Sequence, residues 1–547
     1  MVRRTGGVRG SALLATLLLV ALSGCTGGAS SSTSSTASSS GASPSAAPSV
    51  DTAAAVQALV RQYLPWRPPA VASVDGTVTA LSGTVSRPAP ARLEILQVQG
   101  TPSSTVLRMR LTSAAPVQLQ ANSRFSRGLK INIDVAGVRL DVPPSGFSTW
   151  PDLFAPGAGR TPTICTCSLI PADLDRDGVQ LSATFPPLPQ GTSSVVVRLP
   201  GFSAVTVPFP AGAGASPPSA TADGGIPVLG GTSVAASRSA AGTEATVLVH
   251  GVRRIPGGTV VYYSVGAPQG QRLQAFTLNQ FYAWHALLRD PTRQDGVRLV
   301  DHQHGKVYDT LVAKAGGPAL ATPQRPLYTT EPGRFAVVYQ VLPPLPADVT
   351  TVDLMVGHGD VVAGLPVQDG VMTPEVDQGD TPLALGSGWP RIDLEAVKAA
   401  YQPAESVYAL QSTVSTTDDS VTKRRQPGRV QVDLSADVLF AVDSATLTPA
   451  AASRLRAAAD DLDSQAKAGV VEIVGHTDDT GSGPYNDQLS LDRARAVEKA
   501  LRPLLTRSGL TFDVSGEGEL GPVADNRTAE GRRANRRVTI SFAPAAS

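Results

Sequence analysis

The feature that most limits the fold of this chain is an internal repeat. Residues 137–141 read Gly-Val-Arg-Leu-Asp and residues 296–301 read Gly-Val-Arg-Leu-Val-Asp, and Pro-Pro-Leu-Pro follows each of them, at 186–189 and 343–346. The copies lie about 160 residues apart, which is typical of a duplicated structural unit. Each copy contains short alternating apolar segments separated by Gly and Pro, a pattern that predicts strands. The repeat therefore predicts two all-β, Ig-like sandwich domains, at 51–210 and 243–380.

The N-terminus combines a basic stretch, an apolar stretch and a cysteine. The basic start is followed by an apolar run at 12–22, which is too short for a stable spanning helix, and then by Leu22-Ser23-Gly24-Cys25. This arrangement is similar to a bacterial lipoprotein signal, and the resemblance implies removal of a signal peptide at 1–24, lipidation of Cys25 and display on the outer side of a membrane. A signal anchor that merely contains a cysteine is the alternative. Residues 25–50 carry the lipidated cysteine and are otherwise nearly all Ser, Thr, Ala, Gly and Pro, which predicts a flexible linker.

The remaining composition divides the rest of the chain and limits its function. A second Gly/Ser/Ala/Pro-rich stretch at 211–242 is predicted as a linker, 381–426 as a connecting segment and 427–547 as a separate C-terminal domain. The net charge of +1 provides no field that would gather nucleic acid. The sequence contains no nucleophile elbow, zinc-protease motif or phosphate loop, which favours a binding protein without a cofactor over an enzyme.

The three cysteines suit an extracytoplasmic protein. Once Cys25 is set aside as the lipidation site, Cys165 and Cys167 remain. Because thiols outside the cytoplasm tend to be oxidised, we expect these two either to form a structural disulfide or to be buried thiols. A bond between them requires a turn, since residues i and i+2 of a regular strand lie too far apart.

Two clusters of potential metal ligands are better explained as turns. Asp173, Asp175 and Asp177 precede a glycine, as in a calcium loop, but the twelfth position of such a loop is not Glu. The pair His302 and His304 lies between two strand-like runs, which favours an exposed turn over a metal site. The sequence predicts no bound metal, and the three aspartates are the remaining calcium candidate.

The pattern of the last 120 or so residues changes to alternating strands and helices, which predicts an α+β domain with a mixed sheet. A strand ends near residue 474, a glycine-containing loop follows, and a helix is predicted from Pro484. Within this helix Asn486, Ser490 and Arg493 share one face, which is not the apolar one. Asp478 leaves the end of the strand and can face the same space. A carboxylate and a guanidinium held apart in this way could bind the ammonium and carboxylate of one zwitterion, and the alternative is an ion pair between the two.

These residues resemble the OmpA-like peptidoglycan-binding domain. The similarity covers about 120 residues and rests on the following motifs: Gly475-His476-Thr477-Asp478, Gly481, Tyr485-Asn486, Leu489-Ser490, Arg493-Ala494, Gly531-Arg532 and Asn535-Arg536-Arg537-Val538. It implies non-covalent binding of the peptidoglycan stem peptide, with Asp478 and Arg493 at the positions that hold the free end of diaminopimelate. Asn486 and Asp443 match positions that shape the pocket, and Thr477 and Leu489 of the same motifs are also expected among the peptidoglycan-binding residues. Where the family usually has Phe-Asp-x-Asp, this chain has Phe440-Ala441-Val442-Asp443, so a polar contact at residue 441 is absent.

The predicted protein is a lipid-anchored cell-envelope protein that links membrane and cell wall. Its predicted partners are peptidoglycan, a membrane through the anchor, and an envelope protein bound by the β-sandwich domains. In the alternative, the sandwiches of an accessory or ligand-binding subunit recruit a partner, and the C-terminal domain only positions them. The arginine-rich run 527–537 contains no interleaved aromatic residues, so we interpret it as structural or as contacting anionic wall material.

Overall fold

The computed structural model describes the chain from residue 52 onward, with gaps. The described residues are 52–63, 68–82, 85–119, 137–155, 164–168, 173–212, 220–221, 225–235, 244–266, 297–314, 317–322, 333–357, 360–378 and 383–545. The predicted signal peptide, Cys25 and the first linker lie outside them. Among the helices in these ranges, none combines the length and apolar character required to cross a bilayer.

The first β unit consists of two sheets that share a core. Its strands are β1 (Ala72–Ser82), β2 (Val85–Gly100), β3 (Thr105–Thr112), β4 (Val117–Gln118), β5 (Arg139–Val142), β6 (Phe147–Phe154), β7 (Ile164–Cys165), β8 (Asp173–Leu174), β9 (Val179–Phe185), β10 (Ser194–Arg198) and β11 (Val205–Pro208), with a 3-10 turn at Pro143–Ser145. One sheet has the order β1-β2-β3-β9 and the other the order β11-β10-β5-β6, all antiparallel. Apolar side chains from both sheets, such as Leu107 and Leu140, are fully buried between them. Burial of these side chains is the main stabilising contribution of the unit.

The second β unit repeats this strand order. Its strands are β12 (Ala220–Thr221), β13 (Pro227–Val228), β14 (Gly230–Ala235), β15 (Glu244–Ile255), β16 (Gly258–Gly266), β17 (Val297–Asp301), β18 (Lys306–Tyr308), β19 (Phe335–Leu342), β20 (Thr351–Val356), β21 (Asp360–Asp369), β22 (Glu375–Val376), β23 (Leu383–Ala384) and β24 (Trp389–Pro390). The sheets β14-β15-β16-β19 and β21-β20-β17-β18 correspond, strand for strand, to those of the first unit. Strand β14 lies inside the range predicted as a linker. The Ig-like classification of both units stays a prediction.

A helix that precedes the first β unit in sequence packs on the second. Helix α1 (Thr52–Tyr63) buries Leu59 and Tyr63 in a second apolar cluster, which covers the outer face of the β14–β19 sheet. The hydroxyl of Thr246 donates to the carbonyl oxygen of Tyr63 at 2.8 Å. The chain therefore enters its described body at the second β unit.

The C-terminal domain is an α+β unit with a mixed sheet. The segment before it contains α2 (Leu394–Lys398), whose Val397 is buried in the apolar cluster on the second β unit, a 3-10 turn at Pro403–Ser406 and β25 (Val407–Thr416). The domain itself consists of β26 (Val421–Gln426), β27 (Arg429–Ser435), α3 (Ala436–Leu439), α4 (Ala451–Gln465), β28 (Ala466–His476), α5 (Gly483–Leu501), β29 (Leu510–Gly516), α6 (Ala529–Asn535) and β30 (Arg537–Pro544), with a 3-10 turn at Arg502–Leu504. The strand order is β25-β26-β27-β30-β28-β29, and only the β28–β29 pair among these is parallel. Helices α4 and α5 bury Leu455, Leu462, Val497 and Leu501 on this sheet. The α+β character predicted from the sequence is confirmed.

Strand β25 joins all three parts of the molecule. It pairs with β6 of the first β unit, with β18 of the second and with β26 of the C-terminal domain. A small apolar cluster surrounds this junction and draws on the same three parts: Phe154, Val300, Val307, Met355, Tyr408 and Leu410. The range 381–426, predicted as a connecting segment, thus contains the strand on which the sheets of both β units end.

A buried ionic contact crosses the interface between the two β units. The imidazole of His302 lies 3.2 Å from Asp152 of the first unit and 3.0 Å from Asp353 of the second. Burial alone lowers the pKa of His302, but the hydrogen bonds to Asp152 and Asp353 outweigh it and raise the pKa to about 10. The prediction of an exposed turn is wrong for this residue, whose side chain is 5% exposed. It holds better for His304, whose side chain is 34% exposed.

The other candidate side chains of the first β unit have structural positions. Cys165 and Cys167 form a disulfide across a bend, with their Cα atoms 5.1 Å apart. Asp175 accepts hydrogen bonds from the backbone N–H groups of Asp177 and Gly178, so it closes the turn between β8 and β9. Within the described ranges, no group of three or more His, Cys, Asp or Glu side chains is arranged to hold a metal ion.

Candidate functional site

Two glycines bring helix α5 into direct contact with the sheet. A Cβ atom on Gly475 would lie 1.9 Å from the carbonyl oxygen of Ser490, and one on Gly516 would lie 2.4 Å from the backbone nitrogen of Leu491. Since no side chain can be accommodated at either position, the helix backbone rests on β28 and β29. This close approach buries the polar face of α5, including Arg493, at the end of β28.

The loop between β28 and α5 is held on both sides. The backbone N–H of Thr477 donates to the carbonyl oxygen of Gly518 at 2.8 Å, and the side-chain amide of Asn486 donates to the carbonyl oxygen of Thr480 at 3.1 Å. Gly481 has a φ of +99°, which lets the chain turn back toward the helix. Asn486, predicted to shape the site, is buried and fixes this loop. The hydroxyl of Thr477 is buried and has no hydrogen-bond partner among the described residues.

Asp478 is paired with an arginine other than the predicted one. One of its carboxylate oxygens accepts from the backbone N–H and the hydroxyl of Thr480, and the other accepts from Arg536 Nη1 at 2.6 Å. Burial raises the pKa of Asp478, but the hydrogen bonds from Thr480 and Arg536 prevail and hold the pKa below its ordinary value. Asp478 and Arg493, both among the described residues, therefore do not form the direct ion pair that was the alternative.

Arg493 is anchored through one nitrogen only. Its Nε donates to the carbonyl oxygen of Ser444 at 3.0 Å, and its guanidinium lies 5.4 Å from the centre of the Phe440 ring. Its two terminal nitrogens donate to no oxygen in the described part of the chain. Burial lowers the pKa of Arg493, while Asp437 and Asp443 act in the opposite direction. A buried guanidinium with two unused donors is suited to a carboxylate that approaches from outside.

The other residues predicted from the sequence motifs differ in their exposure to solvent. Asp443 lies in the exposed β-turn after Phe440 and has a φ of +49°, in the left-handed region. Leu489 is half-buried on α5. His476, at the end of β28, donates one hydrogen bond through Nδ1–H to the carbonyl oxygen of Leu520, at 3.1 Å. This backbone contact agrees with the structural role that its position suggests.

Arg536 and Asp437 are the residues that sequence reasoning missed. Arg536 Nε and Nη2 donate to the two oxygens of Asp437, at 2.7 and 2.6 Å, while Nη1 holds Asp478. The hydrogen bonds to Asp437 are the largest influence on the pKa of Arg536, which is raised. Arg536 is part of the arginine-rich run 527–537, whose composition favours a structural role or a contact with anionic wall material. Its place in the motif Asn535-Arg536-Arg537-Val538 was the available signal.

The site carries one more negative than positive charge. Asp437, Asp443 and Asp478 supply three carboxylates, and Arg493 and Arg536 supply two guanidinium groups. A surplus negative charge beside a guanidinium with free donors can accommodate an ammonium group and a carboxylate together. The arrangement is suited to binding, and no nucleophile with a neighbouring base accompanies it among the residues described above.

Comparisons with known proteins match the part of the chain that contains this site. A model described as the OmpA family matches residues 439–536. The probable lipoprotein YiaD of Escherichia coli K12 is 36% identical over 126 residues, which cover 23% of this chain and 56% of that protein. The putative lipoprotein YfiB of the same organism is 37% identical over 117 residues, covering 21% of this chain and 70% of YfiB.

Other matches extend over different shares of their sequences. Outer membrane protein A of Bordetella avium is 38% identical, over 59% of its length. Among solved structures, the cell wall anchor of the T6SS from Pseudomonas aeruginosa has 32% identity and a TM-score of 0.21, covering 23% of this chain and 90% of that one. This chain thus spans little more than half the length of YiaD and of outer membrane protein A. The match to YfiB extends over more than two thirds of that relative, and the chain belongs to the OmpA family, as a bacterial OmpA-like lipoprotein with the OmpA-like domain at its C-terminus.

Proposed function

We propose that this protein binds peptidoglycan non-covalently through the free end of diaminopimelate in the stem peptide, and that a lipid on Cys25 connects the wall-bound protein to a membrane. The relatives support an envelope location, since their names include lipoproteins and an outer membrane protein. In this proposal Arg493 binds the carboxylate of diaminopimelate and Asp478 binds its ammonium group. The protein acts as a binding protein and not as an enzyme.

The observation that carries the proposal is the pair of unused donors on Arg493. Its two terminal nitrogens have no acceptor in the described part of the chain, although the side chain is held through Nε. A guanidinium fixed in this way can give two parallel hydrogen bonds to the carboxylate of a ligand. Asp478 still has room for one more donor, because a carboxylate can accept about four hydrogen bonds and the structure provides three.

Simple energetics set the strength of a single contact. Two charge-assisted hydrogen bonds of about 1.5 to 3 kcal/mol each correspond to a Kd between about 10 mM and tens of μM. Such binding is weak for a free protein. An anchored protein beside a repeating polymer experiences an effective ligand concentration of about 1 mM, which makes the same contacts sufficient for attachment at the tighter end of this range.

Co-sedimentation with purified diaminopimelate-type peptidoglycan tests the proposal. The purified chain is compared with Arg493→Gln and Asp478→Asn, and with Arg495→Gln as the matched control. Arg495 lies on the same helix but is exposed. We expect both site variants to lose most of the bound fraction and the control to retain it. Equal binding by all four proteins would contradict the assignment of the site.

A further inference from the structure

Arg536 divides its donors unequally between two carboxylates. It gives two parallel hydrogen bonds to Asp437, through Nε and Nη2, and a single one to Asp478, through Nη1. Paired parallel bonds from a guanidinium to one carboxylate are stronger and more directional than a single bond. The orientation of Arg536 is therefore set by Asp437, and Asp478 is bound only by the remaining terminal nitrogen, Nη1.

This division decides how much negative charge remains at Asp478. The trio of Asp437, Asp478 and Arg536 has a net charge of −1, and the other contacts of Asp478 come from neutral groups of Thr480. Without a charge at residue 437, the guanidinium would be free to turn and place both of its parallel donors on Asp478. A closed arginine–carboxylate pair of that kind neutralises the carboxylate and occupies its lone pairs.

We infer that Asp437 is a positioning residue that keeps Asp478 available to an ammonium group, and so determines whether the site distinguishes ligands that carry an amine. The inference rests on the proposed function of the same site. Asp437 is held in place by its own backbone surroundings, because it lies in the short helix α3, where the N–H of Ala436 donates to the carbonyl oxygen of Arg536 at 2.9 Å. Its side chain, 36% exposed, can be replaced without opening a cavity in the core.

The test compares two soluble peptides by isothermal titration calorimetry with the purified chain. One is a stem tripeptide that ends in meso-diaminopimelate, and the other is the same tripeptide acetylated on the free amine. The proteins are the wild type, Asp437→Asn, Asp437→Glu and Asp492→Asn. Asp492 is an exposed acid on helix α5, so its variant removes the same charge at a distance from Arg536.

The expected result is a change in selectivity. The wild type should bind the free-amine peptide more tightly than the acetylated one, by about five- to tenfold. In Asp437→Asn the affinity for the free-amine peptide should fall until the two peptides bind alike, whereas affinity for the acetylated peptide should change less than twofold. Asp437→Glu, which retains the charge, should restore at least part of the selectivity, and Asp492→Asn should keep all of it.

The outcomes distinguish a failure of the proposed function from a failure of the role assigned to Asp437. Wild-type protein that binds neither peptide would overturn the proposed function together with this inference. Wild-type selectivity that persists in Asp437→Asn would overturn the inference alone. Loss of both peptides in Asp437→Asn with an unchanged unfolding midpoint would also overturn it, because a positioning role predicts a change confined to the amine.

Discussion

Replacement of Phe154 by Ala tests whether the three parts of the molecule behave as one body. Phe154 belongs to β6 of the first β unit, yet the other buried members of its cluster come from the second unit and from β25. It is fully buried and stacks on Tyr408, with ring centres 6.2 Å apart. Truncation of a fully buried Phe costs about 3 to 5 kcal/mol, and here the cost falls on the junction.

Hydrogen exchange followed by mass spectrometry locates this loss. A local destabilisation of about 3 kcal/mol accelerates amide hydrogen exchange by about a hundredfold at positions where the exchange rate is set by the equilibrium between the closed and the open state. We expect Phe154→Ala to cause this acceleration in β6, β18 and β25 together. Phe185→Ala is the matched control, since Phe185 is equally buried but lies in the core of the first β unit. Acceleration confined to the first unit in both variants would refute the idea of a shared junction.

Three further predictions concern individual contacts. The raised pKa of His302 means that its contribution to stability is fully present below pH 6.5 and is lost as the pH rises to about 10. The difference in Tm between wild type and His302→Gln should therefore shrink between pH 7 and 11, and a constant difference would contradict this. Gly475→Ala should lower the stability of the C-terminal domain by about 3 kcal/mol in urea unfolding, because its Cβ would overlap the carbonyl oxygen of Ser490, whereas Gly483→Ala, with open space around it, should change little. Peptidoglycan with lysine in the stem peptide should bind more weakly in co-sedimentation than the diaminopimelate type, since the lysine side chain offers Arg493 no carboxylate; equal binding would contradict the proposed ligand orientation.

The local geometry of helix α5 follows from the sequence, but the ion pair between Asp478 and Arg536 does not. Helical spacing predicts that Asn486, Ser490 and Arg493 share one face, because the 3.6-residue period fixes which side chains lie together, and in the structure all three side chains are buried. The partner of Asp478 is 58 residues away, on the segment that leads into β30. Sequence spacing contains no information about such a contact, since it depends on which strands become neighbours in the sheet.

The same limit applies to the architecture. The internal repeat predicts two equivalent β units, and the strand orders of the two units agree with a duplication. The alternating pattern at 407–414 also predicts a strand. The sequence does not predict that this strand pairs with β6 and β18. Its two edges look alike in the sequence, and long-range packing decides whether the segment is a linker or a strand shared by two sheets.

The pairing of β25 has a consequence for any shortened form of the protein. A chain that stopped before residue 407 would leave β6 and β18 with unpaired N–H and C=O groups along one side. Exposed strand edges of this kind readily add strands from other molecules, which leads to aggregation. Strand β25 therefore protects the two β units from such contacts, and a C-terminal deletion that also removes residues 407–416 would make the rest of the chain prone to aggregation.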